Sequence, residues 1–264
     1  MPLMDLQLFW ALFSGCIVGV LLGATGAGGS ILAIPLLVYL VGVPVQEATV
    51  ISLVVVGYSA LFGAWRKSRE HHVKGKAALV FSATGLIGAW VGALWHSRMN
   101  ESTILLLFGL LMVGVSIWSL ARRRRSIPDR VEGCARQFSL KCISRALSIG
   151  FGVGILTGFF GIGGGFLIVP ALIGVLGFPP PMAVGTSLMI IALTTIGGIV
   201  GHLEVASIQL GLTAIVVTGS FIGILVGTSL SQKVDHRWFT TAFGVMTGII
   251  GTFMILETLK HVVL

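Results

Sequence analysis

Two short stretches hold the residue types that could do chemistry in this chain. The first, GATGAGGS at Gly23–Ser30, has the glycine spacing of a phosphate-binding loop, G-x-x-x-x-G-K-[ST], with Gly29 standing where lysine belongs. The second, GFFGIGGG at Gly158–Gly165, also lacks the lysine. Both lie inside apolar stretches, which excludes a soluble nucleotide site. What survives is backbone chemistry: successive glycines let N–H groups converge, and a helix starting at Ser30 or Gly165 points its positive end at the turn. That arrangement suits a small anion. The candidate binding residues are therefore Thr25, Gly28, Gly29 and Ser30 on the first turn and Gly163, Gly164 and Gly165 on the second. Hydroxyls on the segments that follow add Ser52 in TVISLVV and Thr186 and Ser187 in AVGTSLM, each a donor that brings no charge into the membrane. The plainer alternatives are glycines that only permit close helix packing and hydroxyls bonded back to their own helix. The first is preferred for Gly88, Gly92, Gly223 and Gly227.

Other chemistry finds little to work with. Gly185-Thr186-Ser187-Leu188-Met189 begins like a nucleophile elbow but ends in Met, and no H-E-x-x-H or pair of buried carboxylates occurs. No enzyme is expected, and no cofactor. His71 and His72 adjoin basic residues without further ligands at metal spacing, so no metal site is expected either. Asp, Glu, Lys and Arg are absent from the middle of every apolar segment, the place where ion-coupled pumps usually carry them. His202 and Glu204 sit in a segment-end loop; an interfacial place is the first reading and proton handling the second.

The elements that must position these residues are membrane segments. The chain has 264 residues, 55% of them hydrophobic and 10% charged, with a mean hydropathy of +1.03. So little polar surface cannot face water all round. The net charge of +8 does not point to nucleic acid, because most Lys and Arg fall in two windows, Arg66–Lys76 and Arg122–Arg145, between apolar runs. Such clusters orient a protein in a bilayer and meet anionic lipid. Three cysteines, two in or beside apolar segments, argue against a disulfide framework. The N-terminus lacks the basic region of a signal peptide and is expected to stay attached.

Apolar runs fall at about 6–24, 30–43, 47–65, 77–97, 103–121, 143–160, 165–178, 182–201, 207–231 and 238–257. A spanning helix needs roughly 20 residues. Runs 30–43 and 165–178 are shorter, follow the glycine clusters and contain Pro35 or Pro170; they read as half-helices. Sliding the sequence by 135 residues sets Gly19, Gly23, Gly26, Gly28 and Gly29 on Gly154, Gly158, Gly161, Gly163 and Gly164, and Pro35, Gly42 and Pro44 on Pro170, Gly177 and Pro179. The same register carries Ser52 onto Ser187 and Phe108-Gly109 onto Phe243-Gly244. The chain is thus a duplication. We expect an all-α polytopic membrane protein: a first repeat at 1–125, a cytoplasmic linker at 126–142 and a second repeat at 143–264. Each repeat holds a glycine-broken re-entrant or half-helix pair plus three transmembrane helices. Arg66–Lys76 carries five basic residues and its counterpart His202–Ala206 none, which favours inverted over parallel repeats, with both termini outside.

At these residues the chain resembles the sulfite exporter TauE/SafE family of bacterial membrane permeases. The resemblance lies in G-x-G-G-G followed by L-x-x-P-x-L at Gly161–Leu172, then G-T-S-L at Gly185–Leu188, with a weaker first copy at Gly26–Leu37. That copy departs by Ser30 in place of a glycine and Val50-Ile51-Ser52 in place of G-T-S. The resemblance implies export of sulfite, or a small organosulfonate such as sulfoacetate, across the inner membrane. Alternatives are another small organic anion such as a carboxylate, a membrane-embedded enzyme or a structural membrane subunit.

Overall fold

The structure, a computed structural model, describes residues 2–25, 28–122, 140–202, 209–230 and 236–263. It is all-helical, with no strand among the described residues. In chain order the helices are α1 (Pro2–Thr25), the short α2 (Gly29–Val41), α3 (Val45–Arg69), α4 (Gly75–His96), α5 (Glu101–Arg122), α6 (Leu140–Phe160), the short α7 (Gly165–Gly174), α8 (Pro180–His202), α9 (Leu210–Leu230) and α10 (His236–Val263). Seven of these, α1, α3, α4, α5, α6, α8 and α9, are long and apolar enough to cross a membrane on their described residues. The linker expected at 126–142, with Arg123, Arg124 and Arg125, falls mostly outside the described residues, as does Glu204.

Local chemistry explains where the segments stop. Gly42 ends α2 in the left-handed conformation at φ 76°, Pro44 caps α3, and Gly177 at φ 68° stands before Pro179 and Pro180 at the start of α8. The two short segments are not alike. α7 is a regular ten-residue α-helix, whereas α2 is a 3-10 turn at Gly28–Leu32, one α-turn and a π-helical stretch at Leu36–Val41. The expected half-helix at 30–43 is thus a mixed helical segment. In each half only the second member of the glycine-broken pair is short; α1 and α6 are full length.

α3 and α8 form the centre, with 67% and 61% of their spanning windows buried, against 33% for α1 and α5. They run antiparallel: Gly63 faces Leu188, Gly198 faces Leu53, and Gly185 lies by Lys67. Around them sit two parallel pairs. Gly219, Gly223 and Gly227 of α9 rest on backbone at Leu12, Cys16 and Val20 of α1, and Gly88 and Gly92 of α4 rest on backbone at Phe151 and Ile155 of α6. α5 and α10 pair antiparallel through Gly109 and Gly251, and Ser116 Oγ donates to the Gly244 carbonyl over 2.7 Å. A β-carbon at most of these glycines would strike backbone, so they set helix spacing, as expected for Gly88, Gly92, Gly223 and Gly227. The outward faces are apolar, with Leu110, Ile117, Ile196 and Val226 more than half exposed, which suits lipid.

One expectation needs correcting. Cys16 is free, but Cys142, near the start of α6, is disulfide-bonded. An odd cysteine count argues against a framework of bridges but leaves room for one bridge and a free thiol.

Candidate functional site

The second glycine turn joins α6 to α7. The Gly161 N–H closes the last turn of α6 on the Thr157 carbonyl (2.8 Å), after which Gly161, Gly163 and Gly164 take φ of 67°, 64° and 67°. Three left-handed residues among four would be heavily strained with side chains, so glycine is required here. Space adds to the requirement: a β-carbon on Gly163 would fall 2.5 Å from Val56 Cγ1, and one on Gly164 would strike Thr157 Oγ1. Gly164 caps α7 without a side-chain bond, and its carbonyl accepts the N–H groups of Leu167 and Ile168 at 3.0 and 3.1 Å. That leaves the N–H groups of Gly165 and Phe166, the first two residues of α7, without an acceptor among the described residues, although both residues are buried.

Two hydroxyls flank this turn. Ser52 Oγ of α3 donates to the Gly161 carbonyl over 2.8 Å, tying the second-half turn to a first-half helix. Thr157, fully buried one turn below, has no hydrogen-bond partner for Oγ1, and that oxygen lies where a Gly164 side chain would begin. The site therefore gathers two main-chain donors, an unpartnered hydroxyl and the positive end of a helix at a point buried from water. An anion can satisfy all of these at once, and a cation none of the N–H groups.

The first turn is built otherwise. α1 runs through Thr25, whose side chain, with Gly26 and Ala27, lies outside the described residues; the chain resumes at Gly28 in the 3-10 turn. Gly29 lies on the backbone of Leu21 and Leu22, and Ser30 is fully buried. The corners meet through apolar side chains, for Ile31, Leu32 and Ile34 of α2 share one buried cluster with Ile162 and Phe166 of the second turn.

Thr186 and Ser187 lie on α8, about one helical turn before Ile191, the residue beside Gly163. They sit at the end of α8 that faces Lys67, whereas Ser52 lies near the end of α3 that faces Gly198. Thr186 Oγ1 accepts the Lys74 N–H at 3.1 Å and so fastens the loop between α3 and α4; Ser187 Oγ donates to the Val184 carbonyl of its own helix over 2.8 Å. The structure thus ties Ser52 to the turn of Gly163, Gly164 and Gly165, and sets Thr186 and Ser187 about one helical turn from Ile191, the α8 residue beside Gly163.

α8 does run beside the second turn, through Ile191 at Gly163, while the hydrogen bonds of its two hydroxyls go to the Lys74 N–H and the Val184 carbonyl. Thr157 was missed, since a threonine in an apolar helix four residues before a glycine carries no signal of its own. His96 was missed too: it ends α4, fully buried, beside His202 at the end of α8, and no spacing links residues so far apart in sequence. Buried polar residues among the described ones are Ser, Thr and His only, and no three His, Cys, Asp or Glu among them come together as metal ligands. In the loop after α3, Glu70 accepts from Lys67 Nζ at 2.7 Å and lies 3.3 Å from His72 Nδ1; the lysine's hydrogen bond, then its charge and the histidine, hold the carboxyl below its usual range.

Comparison with known proteins fits this geometry. Residues 11–254 match the family model described as sulfite exporter TauE/SafE. A probable membrane transporter protein of Xylella fastidiosa strain Temecula1 is 34% identical over 247 residues, covering 92% of each chain. The probable membrane transporter protein YunE of Bacillus subtilis is 28% identical over 260 residues, covering 92% of this chain and 95% of its own. A probable membrane transporter protein of Methanocaldococcus jannaschii, MJ0441, is 27% identical over 258 residues, covering 92% and 93%. No solved structure matches the chain. This is a multi-pass membrane transporter rather than an enzyme, and the chain belongs to the sulfite exporter TauE/SafE family.

Proposed function

We propose that the protein is a secondary transporter of the bacterial inner membrane that exports a small oxyanion, sulfite or an organosulfonate such as sulfoacetate, by alternating access. The observation that carries this reading is the buried N-terminus of α7, where the N–H groups of Gly165 and Phe166 and the Thr157 hydroxyl all lack a partner. Donors buried without acceptors cost about 1–3 kcal/mol each unless a ligand completes them. A sulfonate or sulfite group presents three oxygens and can take all three. Gly163 and Gly164 bring the main chain close enough, and Ser52 holds the turn in place; Gly28, Gly29 and Ser30 are assigned to the first-half side of the site because the residues after them, Ile31, Leu32 and Ile34, pack with Ile162 and Phe166. Thr25, Thr186 and Ser187 are assigned to the first-half side of the path.

Helix directions support a two-fold relation between inverted halves, 1–125 and 143–264. Under the shift of 135, the contact of Gly63 with Leu188 maps onto that of Leu53 with Gly198. The contact of Gly88 with Phe151 maps onto that of Cys16 with Gly223 in the same way. Rocking of one half against the other about the α3–α8 crossing would expose the turns alternately.

Liposomes containing the purified protein test this by counterflow of labelled sulfite, sulfoacetate, sulfate and lactate. Accumulation of sulfite or sulfoacetate without chemical change is the expected result. Preference for lactate would move the substrate to the carboxylates, and absence of counterflow for every anion would defeat the transport reading.

A further inference from the structure

His96 and His202 end α4 and α8 side by side, 0% and 1% exposed, with ring centroids 4.9 Å apart and planes at 65°. Each ring has one partner. His96 Nδ1 lies 2.6 Å from the Phe159 carbonyl and His202 Nδ1 2.8 Å from the Gly198 carbonyl. A carbonyl only accepts, so both Nδ1 atoms carry hydrogen, and both Nε2 atoms are bare acceptors when the rings are neutral. Neither Nε2 has a hydrogen-bond partner, and both are sealed from solvent. Two basic lone pairs therefore sit on rings 4.9 Å apart, buried and without a donor.

One proton resolves that arrangement better than none or two. Bound to either Nε2, it converts a bare acceptor into a donor beside the second basic ring; a further proton would set like charges together. The pair also reaches the site described above. Phe159, whose carbonyl His96 holds, stands two residues before Gly161, and its ring packs on the His96 ring at 6.0 Å. A positive charge here lies on the flank of the anion-binding turn.

We propose that His96 and His202 together form the proton site of the transporter, taking up one proton with each anion and releasing it with that anion on the other side. This rests on the transport reading and adds its coupling. No other charged group among the described residues reaches the pair. On α3, Glu47 is half-buried and paired with Gln209 Nε2 at 2.9 Å; Arg98 and Glu101, between α4 and α5, are exposed; Lys141 and Arg145 lie at the opposite end of α6; α7 carries no titratable group; Glu204 lies outside the described residues.

The test uses the full protein in liposomes loaded with a pH-reporting dye, with sulfoacetate, sulfite or lactate gradients imposed outside. Wild type is expected to move about one proton per anion. His96→Asn and His202→Asn keep a side-chain N–H for the Phe159 and Gly198 carbonyls but delete Nε2, and proton movement per anion should fall at least tenfold in each. Unchanged stoichiometry in either variant, or anion flux in wild type without proton movement, overturns the proposal. A second measurement separates this outcome from failure of the transport reading: histidine-nitrogen NMR of the purified protein across an acid titration. One proton taken up between the two Nε2 atoms supports the pair even where a variant folds poorly or no tested anion moves. Two Nε2 atoms that stay bare, or that titrate independently as exposed imidazoles do, defeat it.

Discussion

The two glycine corners occupy the same place in the duplicated sequence, yet among the described residues they are built differently. At the second, three glycines of positive φ turn the chain directly into a regular α-helix, and Thr157 and Ser52 lend hydroxyls. At the first, the position matching Thr157 is Leu22, the one matching Gly165 is Ser30, and the chain leaves through 3-10 and π turns. Ser187, the counterpart of Ser52, donates into its own helix. The lesson is that a repeat preserves backbone direction more readily than hydrogen-bonding vacancies. Packing needs the glycines in both halves, whereas one set of free donors is enough to hold one anion.

The largest expected break in this comparison is Gly164→Ala. The residue would have to hold φ near 67° with a β-carbon pressed on Thr157 Oγ1. The left-handed conformation alone costs about 1–2 kcal/mol, and the methyl group fills the space assigned to substrate. Anion counterflow should fall more than a hundredfold while the protein still elutes as a single species in detergent. Ser30→Gly, which makes the first corner more like the second, should leave flux within about threefold. Similar losses at both positions would mean that the corners share the load equally.

Much of this was legible in the sequence because glycine and proline report backbone geometry. One gapless register named both corners, the short segments after them and the helices on either side, and the charge bias of Arg66–Lys76 pointed to inverted halves. Packing glycines such as Gly88 and Gly223 were legible for the same reason, since close helix approach needs small residues at fixed spacing. Side-chain hydrogen bonding was not. Ser52, Ser187 and Thr157 look alike in sequence, each a hydroxyl in an apolar run, and tertiary placement alone gives them three different fates: bonded across to Gly161, bonded back to Val184, or left without a partner. The short helix expected after the first glycine cluster is present as α2, but its mixed 3-10, α and π winding was not legible. The different backbones at Gly28–Leu32 and Gly165–Gly174 follow from residues around the prolines, Ser30 and Gly165 among them.

A sharper probe is Thr157→Val, which keeps the shape and removes the hydroxyl. If Thr157 Oγ1 donates to the anion, the loss of one such bond is worth about 1.4 kcal/mol, or about tenfold in the anion concentration for half-maximal counterflow. Maximal flux should change little, because the residue binds the anion without holding the turn. Thermal stability in detergent should hold or rise, since a buried hydroxyl without a partner is replaced by a methyl group. A fall in stability with unchanged half-saturation would instead make Thr157 a structural residue. That outcome would remove one of the three donors from the site.

The smallest effect separates the matched serines. Ser52→Ala leaves the Gly161 carbonyl without its 2.8 Å donor in a fully buried place, which should cost about 1 kcal/mol of stability and loosen the turn. Ser187→Ala removes a bond to a Val184 carbonyl inside α8, where i−3 hydroxyl bonding adds little to the helix, so stability should stay within about 0.5 kcal/mol. Thermal unfolding of the two variants in one detergent measures the difference, and counterflow should follow it, lower in Ser52→Ala and near wild type in Ser187→Ala. The reverse order would place the working hydroxyl on α8. The anion would then have to be held at the Lys67 end of the α3–α8 pair, away from the N-terminus of α7, and the free amides of Gly165 and Phe166 would need another explanation.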